Sequence, residues 1–273
     1  MQFCILGSLE VRGPEGRIQI TAPKQRAVLA ALLLGANNEV PVGHLVRYVW
    51  DGRPPATAQT TLQSYIYRLR QILRPLPDVR LGTNIDSYML EVDEAETDLC
   101  AFRGHVQRAR AAAAGADWAE AAAHLREALA VWRGASLAGV PGEAIRQEGR
   151  VVDGERIAAY EELFGIEIHL GNTRQIVPGL QKIAAAYPLH EAFHGQLMLA
   201  LYASGRQAEA LQSFAAIRRR LSEGLGIEPG AALQQLHRAI LRQVPADQLT
   251  TVAPPRPAPM SGYEPGPPQR SAA

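Results

Sequence analysis

Along the chain, apolar and polar positions first alternate with a period of two and then settle into a period near 3.6. Residues 2–6, 9–12 and 17–20 are short alternating runs, the last two separated by Gly13-Pro14-Glu15-Gly16. They predict a small antiparallel sheet with a tight turn. Pro23 suits a first helical position, the apolar run 27–34 follows, and Gly35 is placed to end that helix. A second helix is predicted from Val40-Pro41-Val42, burying Leu45, Val46, Val49 and Trp50.

The next stretch organises the rest. Pro54 and Pro55 close off what precedes them, and a new helix should start near Thr57 or Ala58. Leu62, Ile66, Leu69 and Leu73 fall on one face of it, at the i, i+4, i+7, i+11 spacing that a helix buries. The opposite face carries Thr60, Ser64, Tyr67, Arg68, Gln71 and Arg74, flanked by Thr61, Gln63 and Arg70, and the helix contains no carboxylate. A solvated helix interleaves acids and bases for mutual support. Their absence points to an anionic partner; the plain alternative is a surface helix that happens to lack acids.

Pro75 and Pro77 force the chain out of that helix. Residues 79–81 and 88–92 then read as two strands joined by 82–87. Two helices, an exposed polar helix and a hairpin make a winged helix-turn-helix, whose hairpin tip can lie along a minor groove or a phosphate strand.

From Thr97-Asp98 the texture changes to alanine-rich helical segments, roughly 98–114, 117–132, 143–170, 172–187, 189–204, 207–224 and 230–242, punctuated by glycines. Gly171 with Gly205, and Leu180 with Phe214, recur at a spacing of 34. That period, with the small-residue and aromatic pattern of 201–214, predicts tetratricopeptide-like helix pairs, which usually bind another protein. The last 29 residues hold eight prolines and few large apolar groups; they are expected to be disordered.

Size and charge alter this picture in one respect. The 273 residues suffice for two cores, and a net charge of +1 gives no hint of nucleic acid. Residues 52–80, however, hold five arginines against Asp78 alone, a local +4. Arginine forks onto phosphate or a guanine edge, and Gln, Ser and Thr reach other base edges or phosphate oxygens. No run of 18 apolar residues and no secretion-type N-terminus is present, so a cytoplasmic protein without membrane contact is expected. Cys4 and Cys100 read as reduced buried thiols.

His190-Glu191-Ala192-Phe193-His194 matches the H-E-x-x-H pattern of zinc peptidases. Pro188 places it in the first turn of a helix, and the residues after His194 bring no third histidine. Neither a phosphate-binding loop nor a nucleophile elbow nor a Cys-x-x-Cys pair is present. No metal, no cofactor and no enzymatic activity are expected.

Residues 24–34, the link from Trp50 to Pro54-Pro55, the helix 62–70, and the segments 128–134 and 224–230 together resemble the Streptomyces antibiotic regulatory proteins. The resemblance covers residues 1 to about 243 and implies a mainly α chain in three parts. Residues 1–95 would be a response-regulator-type winged helix-turn-helix (α+β), residues 96–243 an all-α, tetratricopeptide-like bacterial transcriptional activation domain, and residues 244–273 a proline-rich disordered tail. It further implies an activator of an antibiotic-type biosynthetic gene cluster. Such an activator binds direct repeats in double-stranded promoter DNA as a side-by-side homodimer and recruits RNA polymerase holoenzyme, including its sigma factor.

Carried over position by position, the likeness gives Arg68 a base contact and puts Thr60, Thr61, Tyr65, Tyr67 and Arg70 at phosphates. Asn84 falls on the wing, where a basic residue is common, and Ser87-Tyr88 replaces the usual Gly-Tyr. With Ser64, Gln71, Arg74 and Tyr88 these form the expected DNA-binding set. The rival readings are a tetratricopeptide-like interaction scaffold without specific DNA binding, and a zinc peptidase using His190, Glu191 and His194.

Overall fold

The alternating N-terminal residues form a three-stranded antiparallel sheet, β1 (Phe3–Cys4), β2 (Glu10–Gly13) and β3 (Gly16–Ile18), in that order. Val11 pairs with Ile18 and Gly13 with Gly16, leaving Pro14-Glu15 as the two-residue turn. The structure, a computed structural model, describes residues 2–249. Most of the expected tail therefore lies outside the described residues.

Three helices follow: α1 (Pro23–Leu34), α2 (Val42–Trp50) and α3 (Ala58–Leu73). Helix α1 is almost wholly buried from Ala27 to Leu33 and packs on both α2 and α3. Between α1 and α2 lies β4 (Val40–Pro41), a strand where the hydrophobic pattern suggested the start of a helix. A residue before proline is driven towards extended backbone, and Val40 accordingly pairs with Tyr88. After α3 come β5 (Arg80–Thr83) and β6 (Ser87–Glu91), and the second sheet runs β4-β6-β5.

The later helices are α4 (Asp98–Ala114), α5 (Trp118–Ala130), α6 (Glu143–His169), α7 (Thr173–Ala186), α8 (Glu191–Ala203), α9 (Gln207–Leu225), α10 (Ala231–Leu241) and the short α11 (Ala246–Leu249). The fold is mainly α, and the strands of the described residues all lie between Phe3 and Glu91, as the periodicity implied.

The described chain packs as two units. One holds residues 2–105 with 128–156, the other 106–127 with 157–249. Asp98 explains why the first unit reaches beyond residue 95. Its carboxylate, buried at the start of α4, accepts the backbone N–H of Ile5 at 2.8 Å and of Leu6 at 2.9 Å. The segment after α5 then runs alongside residues 5–8. Arg133 donates its N–H to the Leu6 carbonyl, Leu137 to that of Ile5 and Ala138 to that of Gly7. Trp132 meets the face or edge of Phe102 at 5.2 Å and 90°, which closes this part of the core.

In the second unit α7, α8, α9 and α10 surround one apolar cluster, centred on Leu180, Phe193, Met198, Phe214, Ile217 and Ile240. Leu180 and Phe214, 34 residues apart, share that core, and the matching Gly171 and Gly205 both adopt left-handed backbone (φ 79° and 80°) where helices reverse. Order continues past Gln243. The Tyr202 hydroxyl donates to the Val244 carbonyl, and Leu249 of α11 packs on the same cluster.

Candidate nucleic-acid interface

The anion-facing helix of the sequence reading is α3. Leu62, Ile66, Leu69 and Leu73 are its buried face, each no more than 3% exposed. Thr57 precedes it and its carbonyl accepts the Thr61 N–H, but its hydroxyl makes no capping bond. The left-handed Asp51, followed by Gly52 in the same region, turns the chain out of α2. The Asp51 side chain accepts the N–H of Ala144 at the head of α6, tying the α2–α3 link to the first unit's own scaffold.

Side chains expected to touch DNA divide into two groups. Tyr67, Arg68, Gln71 and Arg74 are exposed, Tyr67 at 63%, and no hydrogen bond or ion pair engages their side chains among the described residues. Thr60 is likewise exposed and Thr61 half-buried. The Ser64 hydroxyl donates back to the Thr60 carbonyl at 3.1 Å, which leaves its oxygen free to accept. These residues line one face of α3, and no carboxylate lies on that helix.

The other group is engaged within the protein. Arg70 donates from Nε to the Leu81 carbonyl at 2.9 Å and from an Nη to the Thr83 hydroxyl at 2.5 Å, bracing α3 against β5. Tyr65 stacks on Trp50 (6.2 Å, 23°), with the Lys24 ammonium 4.9 Å above the same indole. Tyr88 is buried in β6. On the wing, Glu39 accepts from the Asn84 amide at 2.6 Å and from the Ser87 hydroxyl at 2.7 Å. A carboxylate thus pins the turn from below while Ile85, wholly exposed, forms its tip. Periodicity could not have revealed Glu39, which lies 45 residues before Asn84 in sequence.

Two family models match the chain: the bacterial transcriptional activator domain over residues 97–241, and the C-terminal domain of transcriptional regulatory proteins over residues 17–83. Regulatory protein DnrI of Streptomyces peucetius is 35% identical over 255 residues, covering 90% of this chain and 93% of that one. The chain belongs to the Streptomyces antibiotic regulatory protein family. As such it is a transcriptional regulator. Regulatory protein AfsR of Streptomyces coelicolor is 36% identical over 247 residues, which make up 90% of this chain but 25% of AfsR. Among solved structures, Mycobacterium tuberculosis EmbR in complex with a low-affinity phosphopeptide matches with a TM-score of 0.83 and 29% identity. The match covers 91% of this chain and 67% of EmbR.

In this regulator each polar residue of the H-E-x-x-H motif has a neighbour within the protein. His190 precedes α8, lies tilted against the Phe193 ring at 4.4 Å and 32°, and meets Glu161 at 2.9 Å. Glu191 accepts the Gly230 N–H at 2.7 Å. His194 is buried, 3.5 Å from the Ser213 hydroxyl. Among the described residues neither histidine belongs to a cluster of ligand atoms close enough to share an ion. No described helix is long and apolar enough to cross a membrane.

Proposed function

We propose that this regulator is a cytoplasmic, sequence-specific DNA-binding activator of a secondary-metabolite gene cluster. Helix α3 enters the major groove, with Arg68 and Gln71 directed at base edges and Thr60, Thr61, Tyr67 and Arg74 at phosphates or sugars. Tyr65, Arg70 and Asn84 act on DNA indirectly, by holding α3 and the wing in register. Two copies lie head to tail on a direct repeat, the heterologous arrangement such an operator requires. The helical part after residue 96 recruits RNA polymerase holoenzyme through its sigma factor.

The observation that carries this reading is the outward face of α3, where exposed arginines and amides meet no carboxylate and no intramolecular partner. Recruitment needs little energy, since about 1.4 kcal/mol of favourable contact raises occupancy tenfold. Membership of the Streptomyces antibiotic regulatory protein family supports the biosynthetic role.

The test is anisotropy binding to a library of short duplexes at two salt concentrations. Arg68→Ala should cost roughly 1–3 kcal/mol on the selected sequence and relax preference at one base step. Arg74→Ala should weaken all sequences alike and reduce the salt slope by about one. Binding without preferred sequence would hand the assignment to the interaction-scaffold reading, and two variants that select DNA as the parent does would show that α3 is not the reading helix.

A further inference from the structure

A cavity of about 310 Å³ opens on the N-terminal unit and is lined by no residue of α3. Its apolar wall comes from Leu9, Val11, Ile18 and Ile20; the polar wall is Arg17, Gln19, Thr21 and Arg26. The volume is at the small end of ligand sites and suits one or two rings.

Arg26 gives the cavity its chemistry. Its Nε is buried and has no hydrogen-bond partner among the described residues, and its Nη2 lies 3.8 Å from where a Cβ on Gly139 would stand. A buried guanidinium N–H without an acceptor is costly. Arg17 makes only a weak contact, 3.8 Å from Glu10 Oε1, in a carboxylate already held by Arg12 at 3.2 Å and Arg133 at 3.3 Å. Arg17 is therefore free to turn towards a better acceptor.

The adjoining end of α1 lacks what normally balances a helix N-terminus. Ala22 provides no side-chain cap, the first turn holds no acid, and Lys24 and Arg26 add positive charge there. Helix N-termini attract anions and disfavour cations. Two arginines thus line the cavity beside its apolar residues, one of them with an unsatisfied Nε and lying in the uncompensated first turns of α1.

We propose that this cavity binds a small organic acid, its carboxylate taken by Arg26 and Arg17 and its compact apolar body lying on Val11 and Ile20. Gln19 and Thr21 offer hydrogen bonds to polar substituents. The site stands apart from the DNA reading, so either can fail without the other.

The experiment is calorimetric titration of the full chain with 1-naphthoate, its neutral analogue 1-naphthalenemethanol, and inorganic phosphate. Saturable binding of 1-naphthoate is expected, weakened about tenfold or more in Arg26→Gln by loss of a charge-assisted contact. The neutral analogue should bind no better than that variant does. Arg17→Gln, at an exposed position that leaves folding intact, should also weaken binding and decides the matter if Arg26→Gln does not fold. The proposal is overturned by absence of saturable naphthoate binding, by equal binding of parent and Arg17→Gln, or by phosphate binding as tightly as naphthoate, which would leave no role for the apolar wall.

Discussion

Arg70 and Arg68 are two residues apart on α3 and share a charge, yet the structure gives them opposite dependencies. Arg70 makes two charge-assisted bonds to β5, at 2.9 Å to Leu81 and 2.5 Å to Thr83, whereas Arg68 makes none. Hydrogen bonds from a charged donor contribute about 1.5–3 kcal/mol when buried. Both Arg70 and Thr83 are exposed, so solvent screening reduces the pair to a total of about 1–2 kcal/mol. That energy holds the wing rather than the whole fold. Amide exchange measured by mass spectrometry on the peptide covering 80–91 should accelerate about tenfold in Arg70→Ala, the equivalent of 1.4 kcal/mol in local opening. Arg70→Lys should restore little, because an ammonium cannot fork to two acceptors in fixed geometry. Arg68→Ala should leave exchange in 80–91 unchanged while damaging DNA selectivity. Equal protection in Arg70→Ala and the parent would refute the bracing role, and faster exchange in Arg68→Ala would show that the two arginines are not divided in this way.

Asp98→Ala leaves the N–H groups of Ile5 and Leu6 buried without acceptors and removes a carboxylate 3.5 Å from Arg133. It should cost about 3–5 kcal/mol in urea unfolding, and Asp98→Asn, which keeps one acceptor oxygen, should cost less. Burial lowers the pKa of His194, and the Arg220 and His190 charges lower it further, against an opposing hydrogen bond with Pro188. The unfolded chain then takes up this proton before the folded one, so stability is undiminished above about pH 6.5 and falls as pH drops below it. The urea midpoint should fall less between pH 7 and pH 5.5 in His194→Gln than in the parent. Phe214 is 6% exposed and stacks on His237 at 3.8 Å; Phe214→Ala should lower thermal stability by about 3–5 kcal/mol through the cavity left at the centre of the second unit.

Much of the fold was legible because local periodicity is a local property. The spacing of Leu62, Ile66, Leu69 and Leu73 is enough to define a buried helical face, and Pro54-Pro55 with Pro75 bound the helix regardless of what surrounds it. Glycines mark helix ends at Gly171 and Gly205 because only left-handed backbone reverses the chain there at low cost. The strand at Val40–Pro41 was less legible: the apolar pattern suits the start of a helix, Pro41 disfavours helical backbone at Val40, and pairing with Ser87-Tyr88 is what makes the extended residues a strand.

The sequence alone determined the order of the helices, the mainly α character, and the absence of acids from α3, since each follows from neighbours within a few turns. Tertiary structure decided which of the helix's polar side chains are available. Tyr65 went to Trp50, Arg70 to β5 and Asn84 to Glu39, because hydrogen-bond and stacking partners are set by distances across 11 to 45 residues of chain. It also decided that Asp98 and residues 132–138 complete the N-terminal unit, because backbone N–H and carbonyl groups of Ile5, Leu6 and Gly7 must find partners wherever the fold supplies them.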